Sequence, residues 1–262
     1  MKFEFYKYQG TGNDFVMIDD RAEKFPAKDT AYIAQLCDRR FGIGADGLIL
    51  IQTAQDCDFT MVYYNADGRE GSLCGNGARC TIAFAQQLGI IEQKTRFRAA
   101  DGLHKAEIHT DGTIALHMLD VRAIRKENDH VFMDTGSPHH VAFVENLAEY
   151  PVVEKGQSIR YGAPYNAEGT NVNFVQQIAA DSCNIRTYER GVEDETLSCG
   201  TGATAVALAL HALGKTAATK VTINVPGGQL AVRFTPTPDG YQDIYLMGPA
   251  QSVFQGEVVW KK

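Results

Sequence analysis

The feature that most constrains the fold is an internal repeat at an offset of 124–125 residues. Four features recur in the same order at this offset, and such self-similarity indicates one structural unit built twice. They are the segments that begin at Thr11 and Thr135, at Gly44 and Gly169, and at Cys74 and Cys199, and the glycines Gly89 and Gly214 that close two apolar stretches. The chain therefore reads as two similar halves.

Each half combines short β-rich runs with one Ala-rich stretch that is apolar on nearly every side, Gly75–Leu88 and Gly200–Leu213. A helix of that kind belongs inside a core, and the glycine that follows ends it. The predicted fold is α/β, of the α+β type: two pseudo-symmetric lobes, each a mainly antiparallel β-sheet wrapped around a central buried helix. Residues 1–118 should form the N-terminal lobe, to which residues 249–262 return, and residues 119–248 the C-terminal lobe.

Thirteen strands and one surface helix complete this prediction. The helix is Thr30–Phe41. The strands are Phe3–Tyr8, Phe15–Asp19, Gly47–Ile51, Asp58–Asn65, Thr95–Ala99, Lys105–His109, Ile114–Met118, Val141–Glu145, Val172–Gln176, Asn184–Glu189, Lys220–Val225, Leu230–Phe234 and Ile244–Met247.

Charge and apolar patterning narrow the class of protein. A net charge of −7 and a pI near 5.5 argue against nucleic acid as a partner. The opening MKFEFYKYQG lacks an apolar secretory segment, and the weakly polar run Ala203–Leu210 is too short to span a bilayer. We expect a soluble, cytoplasmic protein with reduced cysteines and no membrane partner.

Common cofactor and metal motifs are absent or lie in the wrong context. The sequence contains no C-x2-C pair, the spacing that would predict a structural zinc site. Gly42–Gly47 fits G-x-G-x-x-G but precedes a strand, and Gly200–Ala205 opens a helix without an acidic residue at the end of the next strand, Lys220–Val225. No phosphate-binding loop of the G-x-x-x-x-G-K-[ST] type occurs. The expectation is no metal and no cofactor.

Two of the six cysteines stand out. Cys74 and Cys199 lie at the starts of the two predicted central helices, where unpaired N–H groups and the helix dipole lower a thiol pKa. Neighbouring glycines let a ligand approach those N–H groups, which suit a carboxylate. The remaining cysteines, which we interpret as packing residues, are Cys37, Cys57, Cys80 and Cys183.

Two facing thiols match one class of reaction. Removing a proton from one face of a carbon and adding one to the other face requires a base and an acid on opposite sides. A thiolate and a thiol can fill these roles and exchange them in the reverse direction, and helix N-termini stabilise the charge that develops. The pattern predicts racemisation or epimerisation in a pocket between the halves.

At these residues the chain resembles the diaminopimelate epimerase family over nearly its whole length. The matching motifs are Gly12-Asn13-Asp14-Phe15, Asn65-Ala66-Asp67-Gly68, Cys74-Gly75-Asn76-Gly77-Ala78-Arg79-Cys80, Asn171-Val172-Asn173-Phe174, Tyr188-Glu189-Arg190-Gly191, Glu195-Thr196-Leu197-Ser198-Cys199-Gly200-Thr201-Gly202-Ala203 and Pro226-Gly227-Gly228. The resemblance implies a cofactor-independent isomerase that converts LL- to meso-diaminopimelate on the route to lysine and peptidoglycan. Diaminopimelate is the expected small-molecule partner, and a homodimer is an expectation.

The family's residue roles carry over by position. Cys74 and Cys199 match the acid/base thiols, and His139 and Glu189 are expected to support the catalysis. Glu189 also belongs to the implied substrate-binding set, with Asn13, Asn65, Gly75, Asn76, Asn171, Arg190, Gly200 and Thr201. The paired arginine nitrogens suit a carboxylate, while amides and a glutamate suit an ammonium.

Three departures from the family pattern bear on substrate specificity. Ser137 stands where the family usually has asparagine, and Gly47 where many members have glutamine. The loop between Glu189 and Cys199 is one residue longer than in many relatives and contains Glu193-Asp194-Glu195.

Other classes remain open from the residues alone. Proline or hydroxyproline racemases share paired cysteines, but commonly have Cys-Gly-His-Gly at Cys74–Gly77 and need no second carboxylate clamp such as Arg190. Phenazine-pathway isomerases share the fold without the cysteines. A non-catalytic amino-acid-binding protein or a thiol redox protein would not need one cysteine in each half.

Overall fold

The structure is a computed structural model that describes residues 1–260. Two compact units divide the chain: Met1–Leu116 with the segment from Gly248 onward, and His117–Met247. No helix within residues 1–260 has the length and apolar character needed to cross a membrane.

The first unit contains most of the N-terminal half and one strand from the end of the chain. Its last strand pairs antiparallel with its first, from Lys2 opposite Val259 to Gln9 opposite Gln251. The elements are β1 (Lys2–Gly10), β2 (Asn13–Asp19), α1 (Thr30–Cys37), β3 (Gly47–Gln52), β4 (Phe59–Asn65), α2 (Gly75–Gln87), β5 (Lys94–Ala99), β6 (Gly102–Ile108), β7 (Ile114–His117) and β17 (Gln251–Val259).

The second unit has a similar element order with two additional three-residue strands, Ile124–Lys126 and Asp194–Thr196. Its elements are β8 (Ile124–Lys126), β9 (His130–Asp134), β10 (Pro138–Phe143), α3 (Val152–Tyr161), β11 (Asn171–Ala179), β12 (Ser182–Glu189), β13 (Asp194–Thr196), α4 (Gly200–Ala212), β14 (Lys220–Val225), β15 (Gly228–Thr237) and β16 (Gly240–Gly248).

Strand pairing confirms the pseudo-symmetry of the two lobes. In the first unit β2 runs parallel to β3, β3 antiparallel to β4, β4 parallel to β5 and β5 antiparallel to β6. In the second unit the strands β10, β11, β12, β14 and β15 follow the same alternation. Even the register recurs, since Phe15 lies opposite Gly47 and His139 opposite Asn171.

Both predicted central helices are present and buried. Ten of the thirteen residues of α2 are buried, and ten of thirteen in α4. Gly89 and Gly214 follow one residue after the C-caps, each with φ of 68°, a left-handed conformation that glycine adopts without a steric penalty. The fold class predicted from sequence is confirmed.

The predicted surface helix is four residues too long. Helix α1 ends at Cys37, because Asp38 starts a turn in which its carboxylate accepts from the N–H groups of Arg40 and Phe41, both at 2.7 Å. A side chain at Gly42 would collide with the carbonyl oxygen of Gln35, so this turn packs tightly against the helix end.

All thirteen predicted strands overlap observed ones, but five elements were not predicted. These are the helix α3 and the strands β8, β9, β13 and β17.

Candidate functional site

Cys74 is the N-cap residue of α2, with φ −100° and ψ 120°. The first N–H groups of a helix have no acceptor within the helix itself, and Cys74 directly precedes the first two of them, those of Gly75 and Asn76. Gly75 and Asn76 are buried and Cys74 is half-buried. The helix therefore holds the sulfur at its electropositive end.

Two asparagines surround this first sulfur. The Sγ atom of Cys74 contacts Asn13 Oδ1 at 3.5 Å, and Asn76 Nδ2 donates to the same oxygen at 3.2 Å. Asn13 Nδ2 in turn donates to Asp46 Oδ2 at 2.7 Å. These bonds fix which way the Asn13 amide is turned, with its oxygen toward the thiol.

Asn65 ends β4 and begins the Asn-Ala-Asp-Gly motif. The Gly68 N–H donates to the Asn65 carbonyl at 2.9 Å, and Gly68 has φ of 83°. The Asn65 side chain is exposed, so a ligand can reach its amide. Gly47 lies opposite Asn65 in the ladder. A Cβ at Gly47 would lie 2.5 Å from the Tyr64 carbonyl and 2.6 Å from the Tyr63 ring, so this chain has no room for the glutamine of many relatives.

Cys199 is the N-cap of α4 and is 7% exposed. Its Sγ lies 3.5 Å from the Thr201 hydroxyl, while the Thr135 hydroxyl donates to the Thr201 carbonyl at 2.9 Å. Only glycine fits at position 202, because a Cβ there would collide with Asn173 Oδ1 and lie 3.3 Å from the Cys199 sulfur. The second thiol thus has the same place on its helix as Cys74.

Asn171 links Ser137 to Arg190 in the second unit. Its Nδ2 donates to the Ser137 hydroxyl at 2.8 Å, and its Oδ1 accepts from the Arg190 N–H at 2.9 Å. One guanidinium nitrogen of Arg190 donates to the Glu168 carbonyl at 3.1 Å, and the side chain is exposed. Arg190 directly follows β12. It is equivalent by the repeat to Asn65, which ends β4, 125 residues earlier in the chain.

His139 is fully buried, and burial, with the nearby positive charge of Arg190, lowers its pKa to about 3. The ring is therefore neutral at ordinary pH. Asn173 Nδ2 donates to His139 Nδ1 at 3.0 Å, so Nδ1 is the acceptor and Nε2 carries the proton. Nε2 has no hydrogen-bond partner within residues 1–260.

Asn173 is itself held by the Thr187 hydroxyl, which donates to its Oδ1 at 3.0 Å, and by its own second bond to the His140 carbonyl at 3.1 Å. Both donors and the acceptor of this buried amide are satisfied. The imidazole tautomer is fixed by the chain Thr187–Asn173–His139.

Glu189 and the acidic loop after it are tied down. The Glu189 carboxylate accepts from the Thr196 hydroxyl at 2.9 Å. Glu193, with φ of 60°, pairs with Arg160 at 3.1 Å, and Glu195 pairs with Arg186 through two bonds of 2.6 Å. Two acids of the lengthened loop thus anchor it.

The remaining cysteines fit the packing interpretation. Burial raises the pKa of Cys37, Cys80 and Cys183 to about 12. The half-buried Cys57 contacts the Phe59 carbonyl at 3.4 Å. None of these four thiols has the helix-start position of the pair.

Within each unit the structure brings predicted residues together: Asn13 and Asn76 beside Cys74, and Thr201 beside Cys199. Sequence reasoning missed the residues that hold them, Asp46, Thr135 and Asn173. A signal existed for all three, which lie inside the repeated and motif segments. Across residues 1–260 no group of three or more His, Cys, Asp or Glu could hold a metal ion.

Comparison with known proteins identifies one family. The model of the diaminopimelate epimerase family matches residues 5–123 and 131–253. The chain is 55% identical to a diaminopimelate epimerase of Flavobacterium psychrophilum, over 95% of this chain and 98% of that protein. It is 44% identical to one of Chlorobaculum tepidum, with the same two shares covered.

Solved structures share the fold at low identity. A phenazine biosynthesis protein from Bacillus anthracis superposes with a TM-score of 0.79 at 15% identity, covering 99% of this chain and 100% of that one. A hydroxyproline epimerase from Agrobacterium vitis, solved with trans-4-hydroxy-L-proline, gives 0.68 at 15% identity, covering 98% and 92%. These likenesses concern the fold alone.

Proposed function

Because this chain belongs to the diaminopimelate epimerase family, a family of isomerases, we propose that it interconverts LL- and meso-diaminopimelate with Cys74 and Cys199 as a two-base pair. The observation that carries this proposal is the recurrence of the cysteine: each is the N-cap of a buried helix, one in each unit. A cysteine that only fills space has no reason to occupy this place twice.

The proposed chemistry moves one proton at each thiol. The thiolate of one cysteine takes the α-hydrogen as a proton, and the electron pair left on carbon is delocalised into the α-carboxylate. The thiol of the other cysteine then delivers its proton to the opposite face, which inverts the centre. The two thiols end with their charges exchanged, so the reverse reaction uses the same machinery.

The helix starts bind the reacting end of the substrate in this proposal. N–H groups of Gly75, Asn76, Gly200 and Thr201 are the donors for the α-carboxylate, whose negative charge grows as the proton leaves. The fixed Oδ1 of Asn13 supports the ammonium or the thiol beside it.

The distal end needs a carboxylate clamp and ammonium acceptors. We assign the clamp to Arg190, whose guanidinium is exposed while its backbone is held by Asn171. Asn65, Asn171 and Glu189 supply the remaining polar contacts. Ser137 offers a hydroxyl where the family pattern has an amide.

His139 enters the proposal as a neutral N–H donor. With its pKa near 3 it does not exchange protons with a thiol at ordinary pH. The protonated Nε2 is instead a hydrogen-bond donor that the Asn173 contact directs.

Three organisational proposals follow from this chemistry. The reaction takes one thiol from each of the two lobes, residues 1–118 with 249–262 and residues 119–248. The protein works in the cytoplasm, where a reducing environment keeps both thiols reduced. It assembles as a homodimer, which light scattering tests.

Purified protein dialysed against a chelator, without pyridoxal phosphate, should convert LL-diaminopimelate to the meso isomer. L-proline and trans-4-hydroxy-L-proline, each tested under the same conditions, should not be epimerised. Turnover of either proline with none of diaminopimelate, or activity that depends on added metal or pyridoxal phosphate, would contradict the proposal.

A further inference from the structure

Arg79, in helix α2, is a fully buried guanidinium without a carboxylate partner among residues 1–260. Its Nη2 donates to Asn76 Oδ1 at 3.0 Å and to the Thr11 hydroxyl at 3.3 Å, and its Nε to the Pro249 carbonyl at 3.4 Å. Nη1 has no hydrogen-bond partner in the described residues. All three acceptors are neutral, so no bond in this set balances the charge.

A buried charge is unfavourable unless an opposite charge lies near it. Two thiols, those of Cys80 and Cys74, are close enough to interact electrostatically with Arg79. Burial lowers the pKa of Arg79, and negative charge on either thiol opposes that shift. Cys80 cannot supply the charge, because full burial raises its pKa to about 12. The half-buried Cys74 at the helix start remains.

Other charges around Cys74 largely cancel. Lys7 Nζ of β1 lies 2.6 Å from Asp14 Oδ2 of β2. Burial alone would raise the pKa of Asp14, but the hydrogen bonds from Arg39 and Lys7 lower it to about 2. Arg39 also pairs with Asp46 at 2.7 Å. This cluster has two positive and two negative members. The loop before Cys74 adds the exposed Asp67, Arg69 and Glu70, of which Arg69 and Asp67 pair at 3.8 Å, so its one net charge is negative and does not favour a thiolate.

The helix of the second unit lacks this charge. One repeat length after Arg79 the chain has Thr204, which is buried and donates to the Gly200 carbonyl at 3.0 Å. In the same unit the buried His139 is neutral, and Glu189 and Arg190, adjacent in sequence, carry opposite charges. The two helix starts are therefore alike in geometry and different in electrostatics.

We propose that Arg79 is a positioning residue that holds Cys74 as the thiolate of the resting enzyme, while Cys199 is the thiol. It acts on the sulfur through its charge, and on the surrounding amides through Asn76, whose Nδ2 donates to Asn13 Oδ1. The consequence, which rests on the proposed function, is that the resting enzyme is ready for the isomer whose α-hydrogen faces Cys74.

The test is the pH dependence of thiol alkylation, which needs no substrate and no turnover. Folded protein is pulsed with iodoacetamide between pH 5 and 10, then denatured and mapped by mass spectrometry. In the unmodified chain Cys74 should titrate at least about one pH unit below Cys199, since each unit reflects a tenfold shift in thiolate fraction. Half-buried Cys57 serves as an internal reference.

Two substitutions separate charge from packing. R79M should raise the alkylation midpoint of Cys74 by about one pH unit or more and leave that of Cys199 in place, whereas R79K should keep most of the difference. T204V, at the equivalent position of α4, should move neither. Circular dichroism establishes that each variant is folded, and if R79M is not, the unmodified chain and R79K decide.

The proposal is overturned if Cys74 titrates with or above Cys199 in the unmodified chain, or if R79M leaves the Cys74 midpoint unchanged or shifts both midpoints alike. A protein that fails to turn over diaminopimelate while Cys74 shows the lower, Arg79-dependent midpoint would refute the proposed function and leave this assignment intact.

Discussion

Replacing Asn173 by leucine should destabilise the second unit strongly, although the two side chains have similar size. The Asn173 amide is fully buried and makes three hydrogen bonds, with His139 Nδ1, the His140 carbonyl and the Thr187 hydroxyl, all between 3.0 and 3.1 Å. Leucine leaves all three partner groups buried without that bond.

The magnitude follows from those three groups. Each buried polar group left without a partner costs about 1–3 kcal/mol, so the loss of three should lower the free energy of unfolding by about 3–9 kcal/mol. That is a large share of the roughly 5–15 kcal/mol by which a typical protein is stable.

Urea unfolding at pH 7, followed by circular dichroism, measures the loss. Asn184→Leu is the matched control, because this half-buried asparagine accepts one bond, from Asn224 at 2.9 Å, and should lose about 1 kcal/mol or less. An Asn173→Leu loss no larger than that of the control would refute the account of this network.

Three further predictions concern substrate binding, pH and packing. Arg190→Lys should lower kcat/KM for diaminopimelate about 100-fold, because lysine lacks the planar two-point grip, while exposed Arg122→Lys changes it little; near-normal kinetics would remove Arg190 as the clamp. Acid should destabilise the fold through His139: its pKa is about 3 when folded and near 6.5 when unfolded, so only the unfolded state gains the proton. Stability should therefore fall, by on the order of a few kcal/mol, as pH drops from about 6.5 toward 3, and His139→Gln should flatten this slope in urea titrations; an unchanged slope contradicts the burial argument. Gly47→Ala should lower the free energy of unfolding by about 1–3 kcal/mol through overpacking against Tyr63 and Tyr64. The control Gly112→Ala adds a Cβ that meets nothing within 4 Å, so it should lose only the cost of placing alanine at a φ of 81°. Equal losses in urea unfolding would show that the Tyr63 ring moves aside easily.

The repeat and the apolar periodicity predicted both central helices and thirteen of the seventeen strands within residues 1–260. Helix α3 was not predicted because its interior contains Gly156, and a glycine there weakens a helical pattern. The structure shows why glycine is needed, since a Cβ at this position would collide with Tyr188. The repeat itself held the missing information, since α1 lies one repeat length before α3. Strand β13 is three polar residues held by the Arg186–Glu195 pair, a contact that no local pattern reveals.

For the candidate site, the sequence predicted which residues bear the chemistry and not what holds them. Cys74 and Cys199 were visible as helix starts. The dependence of His139 on Asn173, and of Asn13 on Asp46, arises from pairing between strands β10 and β11 and between the ends of β2 and β3. Such contacts depend on register, which the sequence indicates only coarsely.

The two-base claim is tested most directly by a single turnover of LL-diaminopimelate in D2O. The account predicts that the meso product carries solvent deuterium at the inverted carbon while recovered LL substrate remains unlabelled early in the reaction, because the incoming proton comes from a different thiol than the one that removed it. Cys74→Ala and Cys199→Ala should each slow epimerisation by about 100- to 10,000-fold. Product that retains the substrate's own α-hydrogen, or near-normal epimerisation by either alanine variant, would contradict the account.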